Sequence, residues 1–386
     1  MISEKIIADA KFYNKLLAIF FTSEKCDICD ELFEKVNKLQ IAQKFYLLKL
    51  NAVEYLQYSV RFSRGIIPSI GIVSPDGRLL GIIESENLDY IEDRLRDIYS
   101  DKDKIVGISP PTPQETIEVN PADFYDIVTY ALDGNPLDFR GVEFLKFYSK
   151  IHKEYGKVLA LTKPAEPLAE FLLTGKKPNL DETYTSNLAL NIILEIERDE
   201  SVKKLLDRIK EDGSVVRSSR NEVKGLLIDQ AMVGNALVKL YQDSFDEKYL
   251  DLALKVYNWT SSNLSDKLGF RDCKPENELT RAPVYEPLAN SEASIFFAKL
   301  WAITNDQKYL EDAKKAMNVS YTLGSDIRVL SRVAIAYLKI NELVRSTVKV
   351  KDDIRVEVVK DNGCSNSEYK YSNSCYKSLE EIKTSI

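Results

Sequence analysis

Histidine is almost absent from this sequence, since His152 is the only one among 386 residues. A single imidazole excludes histidine-rich metal sites and any mechanism that needs two imidazoles, so we expect no metal centre. The five cysteines are too few for the disulfide framework of a secreted protein. The longest early apolar run, residues 16–21, is far too short for a signal sequence or a transmembrane helix. The sequence therefore predicts a cytoplasmic protein.

A basic surface is also missing. The formal net charge is −7, and the acidic residues are spread along the chain rather than gathered in blocks. Nucleic acids and anionic membranes bind to clusters of lysine and arginine, so we expect neither as a partner. The composition, 44% hydrophobic and 29% charged, is that of globular proteins, and the length predicts two or three domains. Frequent Lys, Glu, Ile and Tyr with little Met and His indicate a thermophilic source.

The first motif that carries chemistry is Cys26-Asp27-Ile28-Cys29. It lies between the apolar run 16–21 and an amphipathic helix predicted over 27–41. A helix N-terminus favours a thiolate, the form that attacks a disulfide, and a second thiol one turn later can resolve the mixed disulfide. Cys26 is thus the candidate nucleophile and Cys29 the candidate resolving thiol. Two alternatives stay open: a domain that keeps the cysteines without using them, and a zinc site, which would need a second pair of ligands nearby.

The elements around this motif follow the complete order of a thioredoxin-like α/β domain, with nothing left over. Ser74-Pro75-Asp76-Gly77 marks a hairpin, and Pro68 precedes its first strand. In that fold Pro68 would be a cis-proline that faces the two thiols and belongs to the catalytic site; the alternative is an ordinary proline at the start of a strand. The predicted elements are helix 3–13, strand 15–22, helix 27–41, strand 45–52, helix 54–63, strands 69–74 and 78–84, and helix 87–100.

Prolines mark the end of this domain. Residues 107–113 read Gly-Ile-Ser-Pro-Pro-Thr-Pro, a run that can continue neither a helix nor a central strand. We therefore predict a thioredoxin-like domain over 1–106 and a proline-rich linker over 107–117. Helical periodicity dominates from 118 to 346, and 347–386 is predicted to form a C-terminal strand and a cysteine-containing tail.

An internal repeat of sixty residues runs through the helical region. Lys239-Leu240-Tyr241 recurs as Lys299-Leu300-Trp301, and Asp246 recurs as Asp306. A helix, a turn and a second helix at a fixed period indicate stacked αα-hairpins. We therefore predict an all-α (α/α) hairpin toroid over 118–346, whose last helix runs through residue 345, followed by one strand over 354–360.

A thioredoxin-like unit joined to αα-hairpins resembles the uncharacterised family typified by spermatogenesis-associated protein 20, which pairs a thioredoxin-like domain with a six-hairpin glycosidase-like toroid. Inside the CxxC motif, Asp27-Ile28 stands where that family has His-Trp, and the histidines of the family's toroid are missing. The resemblance implies a reduced, divergent member. It is carried by the Cys26–Cys29 motif, Gly65-Ile66-Ile67-Pro68, Ser74-Pro75-Asp76-Gly77, the segment 225–231 and Asn290-Ser291.

Three acids in the helical region are candidates for a carbohydrate site: Asp229, Glu286 and Glu292. Glycoside chemistry needs one protonated acid and one ionised base across a sugar. Tyr241 and Trp301 are candidates for stacking on a sugar ring. The alternatives are solvated or capping carboxylates and core aromatics.

The remaining cysteines lie late in the chain. Cys364 and Cys375 enclose a polar loop that could not pack by itself, so a structural disulfide is one expectation and two free thiols the other. Cys273 is expected to fill space in a core.

Three functions follow from these residues. The first is a thiol–disulfide oxidoreductase without a cofactor, whose partners are a protein disulfide or a reductase, fused to a toroid that binds or scaffolds a partner. The second is a carbohydrate-binding, glycosidase-like or epimerase-like toroid with a carbohydrate ligand and a degenerate thioredoxin module. The third is a non-catalytic interaction scaffold. The sequence leaves the substrate and the oligomeric state open.

Overall fold

The structure is a computed structural model that describes residues 2–115, 117–384 and 386. Met1, Thr116 and Ser385, which fall within the predicted domain ranges, lie outside the described residues. The chain is mostly helical, with a mixed β-sheet near its N-terminus and a small sheet near its C-terminus. It divides into two compact units. Unit 1 comprises Met1–Pro111, Asn221–Leu226 and Arg271–Val284, and unit 2 comprises Thr112–Arg220, Leu227–Phe270 and Tyr285–Ile386.

The elements of the described residues are numbered in chain order. The helices are α1 (Glu4–Phe12), α2 (Asp27–Asn37), α3 (Leu56–Phe62), α4 (Leu88–Asp101), α5 (Tyr125–Leu132), α6 (Phe139–Ile151), α7 (Gly156–Leu161), α8 (Pro167–Thr174), α9 (Thr185–Ile193), α10 (Arg198–Asp207), α11 (Leu227–Ser244), α12 (Glu247–Leu264), α13 (Glu278–Arg281), α14 (Pro287–Thr304), α15 (Gln307–Leu323) and α16 (Ile327–Asn341). The strands are β1 (Leu16–Thr22), β2 (Phe45–Asn51), β3 (Ser69–Val73), β4 (Leu79–Ile83), β5 (Pro136–Leu137), β6 (Lys163–Pro164), β7 (Val344–Ser346), β8 (Val356–Val358), β9 (Tyr369–Tyr371) and β10 (Ser374–Tyr376). Short 3₁₀ helices span Gln40–Lys44, Pro121–Phe124, Lys153–Tyr155 and Leu379–Glu381.

Unit 1 is organised around β1, the second strand of a sheet with the order β2-β1-β3-β4. β1 pairs in parallel with β2 and antiparallel with β3, and β3 pairs antiparallel with β4. Every residue of β1 is buried, because alternate side chains point to opposite faces of the sheet and both faces are covered. One set, with Phe20, packs in a cluster with residues of α2 and α4, and the other, with Phe21, packs with residues of α1 and α3.

Two later segments also belong to unit 1, residues 221–226 and 271–284. Both segments lie within the range 118–346 that is predicted from the sequence to form the helical domain. In the structure, Arg61 of α3 donates hydrogen bonds from both terminal nitrogens to the buried carboxylate of Asp272, the Nη2 to Oδ1 bond at 2.7 Å. The Nδ2 of Asn277 donates to the carbonyl of Ile2 at 3.3 Å. These polar contacts within unit 1 fix the segment 271–284, and no local pattern in the sequence indicates them.

The sixty-residue repeat is confirmed in unit 2. Both bounds of α14 lie sixty residues after those of α11, and α15 begins sixty residues after α12. The side chains of Asp246 and Asp306 cap α12 and α15, each accepting a hydrogen bond from a backbone N–H two residues on at 3.1 Å. α11 and α14 are buried on nearly all sides, whereas α12 and α15 bury one face.

The C-terminal region differs from the predicted helix and single strand. α16 ends at Asn341, and Val344–Ser346 forms β7, so the prediction of helix through residue 345 is wrong. β7 lies in a four-stranded sheet of order β10-β9-β7-β8. Strands of three residues are too short to leave an alternating pattern in the sequence, so periodicity identifies only the segment around β8. No helix of the described residues is both long and apolar enough to cross a membrane.

Candidate functional site

Cys26 begins α2. Its sulfur accepts a hydrogen bond from the backbone N–H of Cys29 at 3.3 Å and so serves as the N-cap of the helix. Lys25 just before it adopts a left-handed φ of 55°, which turns the chain from the end of β1 into the helix. The sulfur therefore sits where unpaired N–H groups and the helix dipole stabilise negative charge.

The two sulfurs of the motif are joined. Cys26 and Cys29 form a disulfide with a Cα–Cα distance of 5.2 Å. Cys26 is half-buried, whereas Cys29 is fully buried in the apolar cluster between the sheet and α2. Only the first cysteine is therefore open to a partner from solvent.

Pro68 is the residue directly before β3. The Ile67–Pro68 peptide bond is cis. In the antiparallel pairing of β1 and β3, Phe21 is opposite Ser69, which places Pro68 level with the end of β1 that leads to Cys26. Proline has no N–H, so the backbone here makes no ladder bond through that residue. Pro68 is buried, and Ile67 packs against the cluster that holds Cys29.

The surface around the motif mixes apolar and charged side chains. Ile28 is 56% exposed and Ile66 is 54% exposed. Asp30 accepts a hydrogen bond from the Lys49 ammonium at 2.6 Å, so one of the two acids in the first turn of α2 is paired with a cation. The other acid, Asp27, is exposed and lies directly beside Cys26.

The fifth cysteine has a different environment. Cys273 is a free, buried thiol in unit 1, next to Asp272 of the ion pair with Arg61. Burial raises the pKa of the Cys273 thiol far above its ordinary value, and the adjacent Asp272 carboxylate adds to that effect. This group stays protonated and is unsuited to thiolate chemistry.

In unit 2 the candidate acid Glu292 is held by two arginines. Its Oε1 accepts hydrogen bonds from Arg140 Nε at 2.9 Å and from Arg332 Nε at 3.0 Å, and its Oε2 accepts from Arg140 Nη2 at 2.7 Å. Arg332 also donates to Asp138, the N-cap of α6, at 2.5 Å. Burial alone would raise the pKa of Glu292, but the two guanidiniums outweigh it and hold the pKa below its ordinary value. Glu292 is therefore an ionised structural carboxylate that ties α6, α14 and α16 together.

The other two candidate acids have separate partners. Asp229 is fully buried and accepts a hydrogen bond from Arg217 Nη1 at 2.8 Å. Glu286 is the N-cap of α14 and accepts from the backbone N–H groups of Leu288 and Ala289. Each carboxylate thus has a structural contact of its own, one in an ion pair and one in a helix cap.

The candidate aromatics are engaged in packing. Tyr241 is buried, with its ring edge-on to Phe245 at 5.7 Å between centroids. Trp301 is half-buried against the main core of unit 2, and the Arg345 guanidinium lies 5.2 Å from its ring centroid.

The late cysteines lie at a hairpin. β9 and β10 pair antiparallel through a tight turn in which Ser372 has a left-handed φ of 52°. Cys364 and Cys375 form a disulfide with a Cα–Cα distance of 5.9 Å. Cys375 is exposed and Cys364 half-buried, so this disulfide is at the surface of unit 2.

Sequence reasoning missed the cations of these sites. Arg140, Arg332 and Arg61 are buried partners of acids that lie 40 to 211 positions away, and no motif marks them. The one indication in the sequence is that these arginines occupy helix faces that are otherwise apolar.

Among the described residues, no cluster of three or more His, Cys, Asp or Glu has the geometry to hold a metal ion. His152 contacts the carbonyl of Ile386 through Nε2 at 3.0 Å, and its ring is tilted against that of Tyr148 with 4.4 Å between centroids.

Comparison with known proteins gives no match among family models and none among curated proteins. Among solved structures, a family 76 glycoside hydrolase from a bovine Bacteroides thetaiotaomicron strain is 13% identical, with 70% of each chain covered and a TM-score of 0.34. A GH76 α-mannanase from Bacteroides thetaiotaomicron is 14% identical over 65% of this chain and 94% of that one, with a TM-score of 0.33. An unsaturated glucuronyl hydrolase from Streptococcus agalactiae is 9% identical over 64% of this chain and 89% of that one, with a TM-score of 0.35. Similarity at this level supports no inference about fold, activity or substrate.

Proposed function

We propose that unit 1 is a thioredoxin-like module whose Cys26–Cys29 pair exchanges electrons with disulfides of other proteins. The observation that carries the proposal is the position of Cys26: a half-buried sulfur that caps α2 and is bonded to a fully buried Cys29. The strand order β2-β1-β3-β4, with helices on both faces and Pro68 level with the motif, is the order of the thioredoxin fold and supports the assignment.

The exchange needs two steps. In the reduced protein the Cys26 thiolate attacks one sulfur of the partner's disulfide, that S–S bond breaks, and the other partner sulfur leaves as a thiolate. Cys29 then loses its proton and attacks the Cys26 sulfur, which breaks the mixed disulfide and releases the second partner thiolate. Two electrons pass to the partner, its two sulfurs take up two protons, and Cys26–Cys29 becomes a disulfide. A dithiol reductant restores the starting state.

The surroundings favour a protein as the partner. Ile28 and Ile66 expose apolar surface on the two segments nearest the motif, one on α2 and one on the loop before Pro68. Because proline lacks an N–H, an extended partner chain can approach the backbone before β3 without displacing a ladder bond. The Asp27 carboxylate beside Cys26 opposes thiolate formation, so we expect a reducing couple rather than a strongly oxidising one.

For unit 2 we propose an (α/α) hairpin toroid that binds or scaffolds a partner rather than one that converts carbohydrate. Glycoside hydrolysis needs a carboxylic acid that stays protonated near neutral pH. Glu292 and Asp229 each form an ion pair with a buried arginine, and Glu286 caps a helix, which supports structural roles for all three. With a thioredoxin-like module before it, this toroid is consistent with a reduced, divergent member of the family typified by spermatogenesis-associated protein 20.

The test is reduction of a fluorescent peptide disulfide by the full, prereduced chain under single-turnover conditions. We expect Cys26→Ser to abolish reduction, and Cys29→Ser to accumulate a mixed disulfide at Cys26 that mass spectrometry detects. The double variant Cys364→Ser/Cys375→Ser serves as the matched control and should reduce the reporter at the wild-type rate. Undiminished reduction by Cys26→Ser would refute the proposal.

A further inference from the structure

Unit 2 contains a cavity of about 520 Å³ that shares only Arg140 with the sites described above. It is lined by side chains from α6, α11, α14 and α16 and by the segment 349–358 that leads into and forms β8. A volume of this size is typical of sites for small molecules.

Most of the charged groups that line this cavity form ion pairs, either with one another or with a residue outside the lining. The pairs are Arg140 with Glu143, Lys239 with Glu195 and Asp243, Lys349 with Asp243, Lys339 with Glu357, and Asp353 with Arg355. Lys146 donates to the carbonyl of Leu172 at 2.5 Å. Within the described part of the chain, the ammonium of Lys299 has neither a hydrogen bond nor an ion pair. Lys351 and Asp352 of the lining likewise form no ion pair among these residues. Seven cationic side chains and six carboxylates line the cavity, so the lining has one excess positive charge.

The sixty-residue repeat shows why Lys299 is different. Its counterpart in the preceding hairpin is Lys239, whose ammonium lies 3.0 Å from the Asp243 carboxylate one helical turn later. Sixty residues after Asp243 the chain has Ile303 instead. The same helix position thus carries an ion-paired lysine in α11 and, among the residues that the structure describes, a lysine without an ion pair in α14.

Burial makes this amine a weak base. It lowers the pKa of Lys299 to about 8; Lys339 and Arg140 add to the lowering, while Glu357 and Glu143 act against it. At neutral pH the group is mostly protonated, and among the described residues no carboxylate lies within ion-pair distance of this ammonium, although Glu357 and Glu143 are near enough to act on it.

We propose that this cavity binds a small molecule through an oxyanion, a carboxylate or a phosphate, that pairs with the Lys299 ammonium. The cavity gives room for the rest of the ligand, and the paired charges around it give donors and acceptors for neutral polar groups. This site is independent of the dithiol of unit 1, and its ligand need not be a redox partner.

The experiment is calorimetric titration of the full chain with sulfate, as a stand-in for a phosphate group, and with tricarballylate, as a stand-in for carboxylates. Both probes keep a constant charge above about pH 7, so any pH dependence comes from the protein. We expect at least one probe to bind with proton uptake, and its affinity to fall about tenfold per pH unit above pH 8, because only the protonated amine attracts an anion. The stronger of the two probes identifies the class of oxyanion.

Substitutions at and near Lys299 test whether the anion binds at this lysine. Lys299→Met should weaken it at least tenfold, whereas Lys255→Met, at an exposed lysine of α12, should leave it unchanged. Ile303→Asp, which gives Lys299 the partner that Lys239 has, should also weaken binding at least tenfold, and Ile303→Asn should not. Because an altered helix might fold poorly, competitive acetylation of wild-type protein provides a second test, in which the bound probe should protect Lys299 and no other lysine. Equal affinity of wild type and Lys299→Met, or acetylation of Lys299 unaffected by both probes, would overturn the proposal.

Discussion

The two units treat their reactive groups in opposite ways. Unit 1 holds Cys26 half-buried at the tip of a helix, with the partner sulfur behind it in an apolar cluster. Unit 2 holds Glu292 buried among two arginines, so that its charge is fully neutralised. A group that must meet a partner needs exposure and an electrostatic bias toward its reactive form. In contrast, a buried carboxylate whose two oxygens both accept hydrogen bonds from arginines is suited to holding helices together.

The largest expected effect is on the unit 2 side of this comparison. Glu292→Gln leaves the buried guanidiniums of Arg140 and Arg332 without their carboxylate, and we expect a loss of about 4–5 kcal/mol in unfolding free energy. Both tryptophans, Trp259 and Trp301, lie in unit 2, so their fluorescence during urea unfolding measures this unit. Glu143→Gln, which alters a partly exposed partner of Arg140, is the control and should cost under about 1 kcal/mol. Equal losses in the two variants would remove the structural role of Glu292.

The Glu292 carboxylate also determines how the stability of unit 2 depends on pH in the acidic range. The pKa of Glu292 in the folded protein is lower than its ordinary value of about 4.3. The ionised carboxylate therefore contributes its full share of the unfolding free energy above about pH 4.3, and this share is lost as the pH falls through the pKa of the folded protein. Wild-type unit 2 should therefore lose stability steeply below about pH 4. Glu292→Gln should show a shallower decline in that range, measured by the same fluorescence at a series of pH values. Parallel curves for the two proteins would contradict this assignment.

Unit 1 has a buried ion pair of its own, away from the dithiol. Arg61→Met leaves Asp272 buried without its cation, and we expect a loss of about 3 kcal/mol with unchanged reduction of the peptide disulfide per folded molecule. Amide hydrogen exchange in α3 measures the loss. Replacing the exposed Arg64 by Met should change little, and the double variant Arg61→Met/Asp272→Leu should recover most of the stability. A double variant as unstable as the single one would show that the pair is not what holds this segment.

Among the described residues the ammonium of Lys299 has no ion pair, in contrast to the Glu292 carboxylate, and removing this desolvated charge should stabilise the protein. With a folded pKa of about 8 and an unfolded pKa of about 10.4, the lysine favours the unfolded state below the higher value. We expect Lys299→Met to raise the unfolding free energy by about 1 kcal/mol at pH 7, and the gain to vanish above about pH 10.4. Urea unfolding at both pH values measures it. A destabilised variant at pH 7 would indicate that Lys299 has a partner in solution.

The smallest effect concerns the charge beside the nucleophile. Asp27→Asn removes a negative charge next to Cys26 and should speed attack on the peptide disulfide about twofold to fivefold at pH 7. Stopped-flow measurement of the first step, with Asp93→Asn on the exposed face of α4 as control, isolates the local charge. A rate that does not change would mean that the helix terminus alone governs the thiol.

The parts of this structure that sequence reasoning reaches are those set by local signals. The helix that begins at Cys26 follows from an N-cap position and an apolar stripe, and the αα-hairpins follow from a period of sixty residues. Short strands such as β7 and β10 leave no such signal, because three residues cannot establish a period. The segment 271–284 joins unit 1 through Asp272 and Asn277, whose partners are more than two hundred positions away.

The sequence by itself determined that two thiols share a helix tip, that two hairpins repeat, and that most charges are dispersed. Only the tertiary structure decided which charged groups meet: Glu292 with Arg140 and Arg332, Arg61 with Asp272, and Lys299 with no ion-pair partner in the described part of the chain. Pattern and capping act over a few residues and are written in the order of the chain. Ion pairing in a core depends on distances of a few ångströms between residues that the fold brings together, and on the burial that makes each unpaired charge costly.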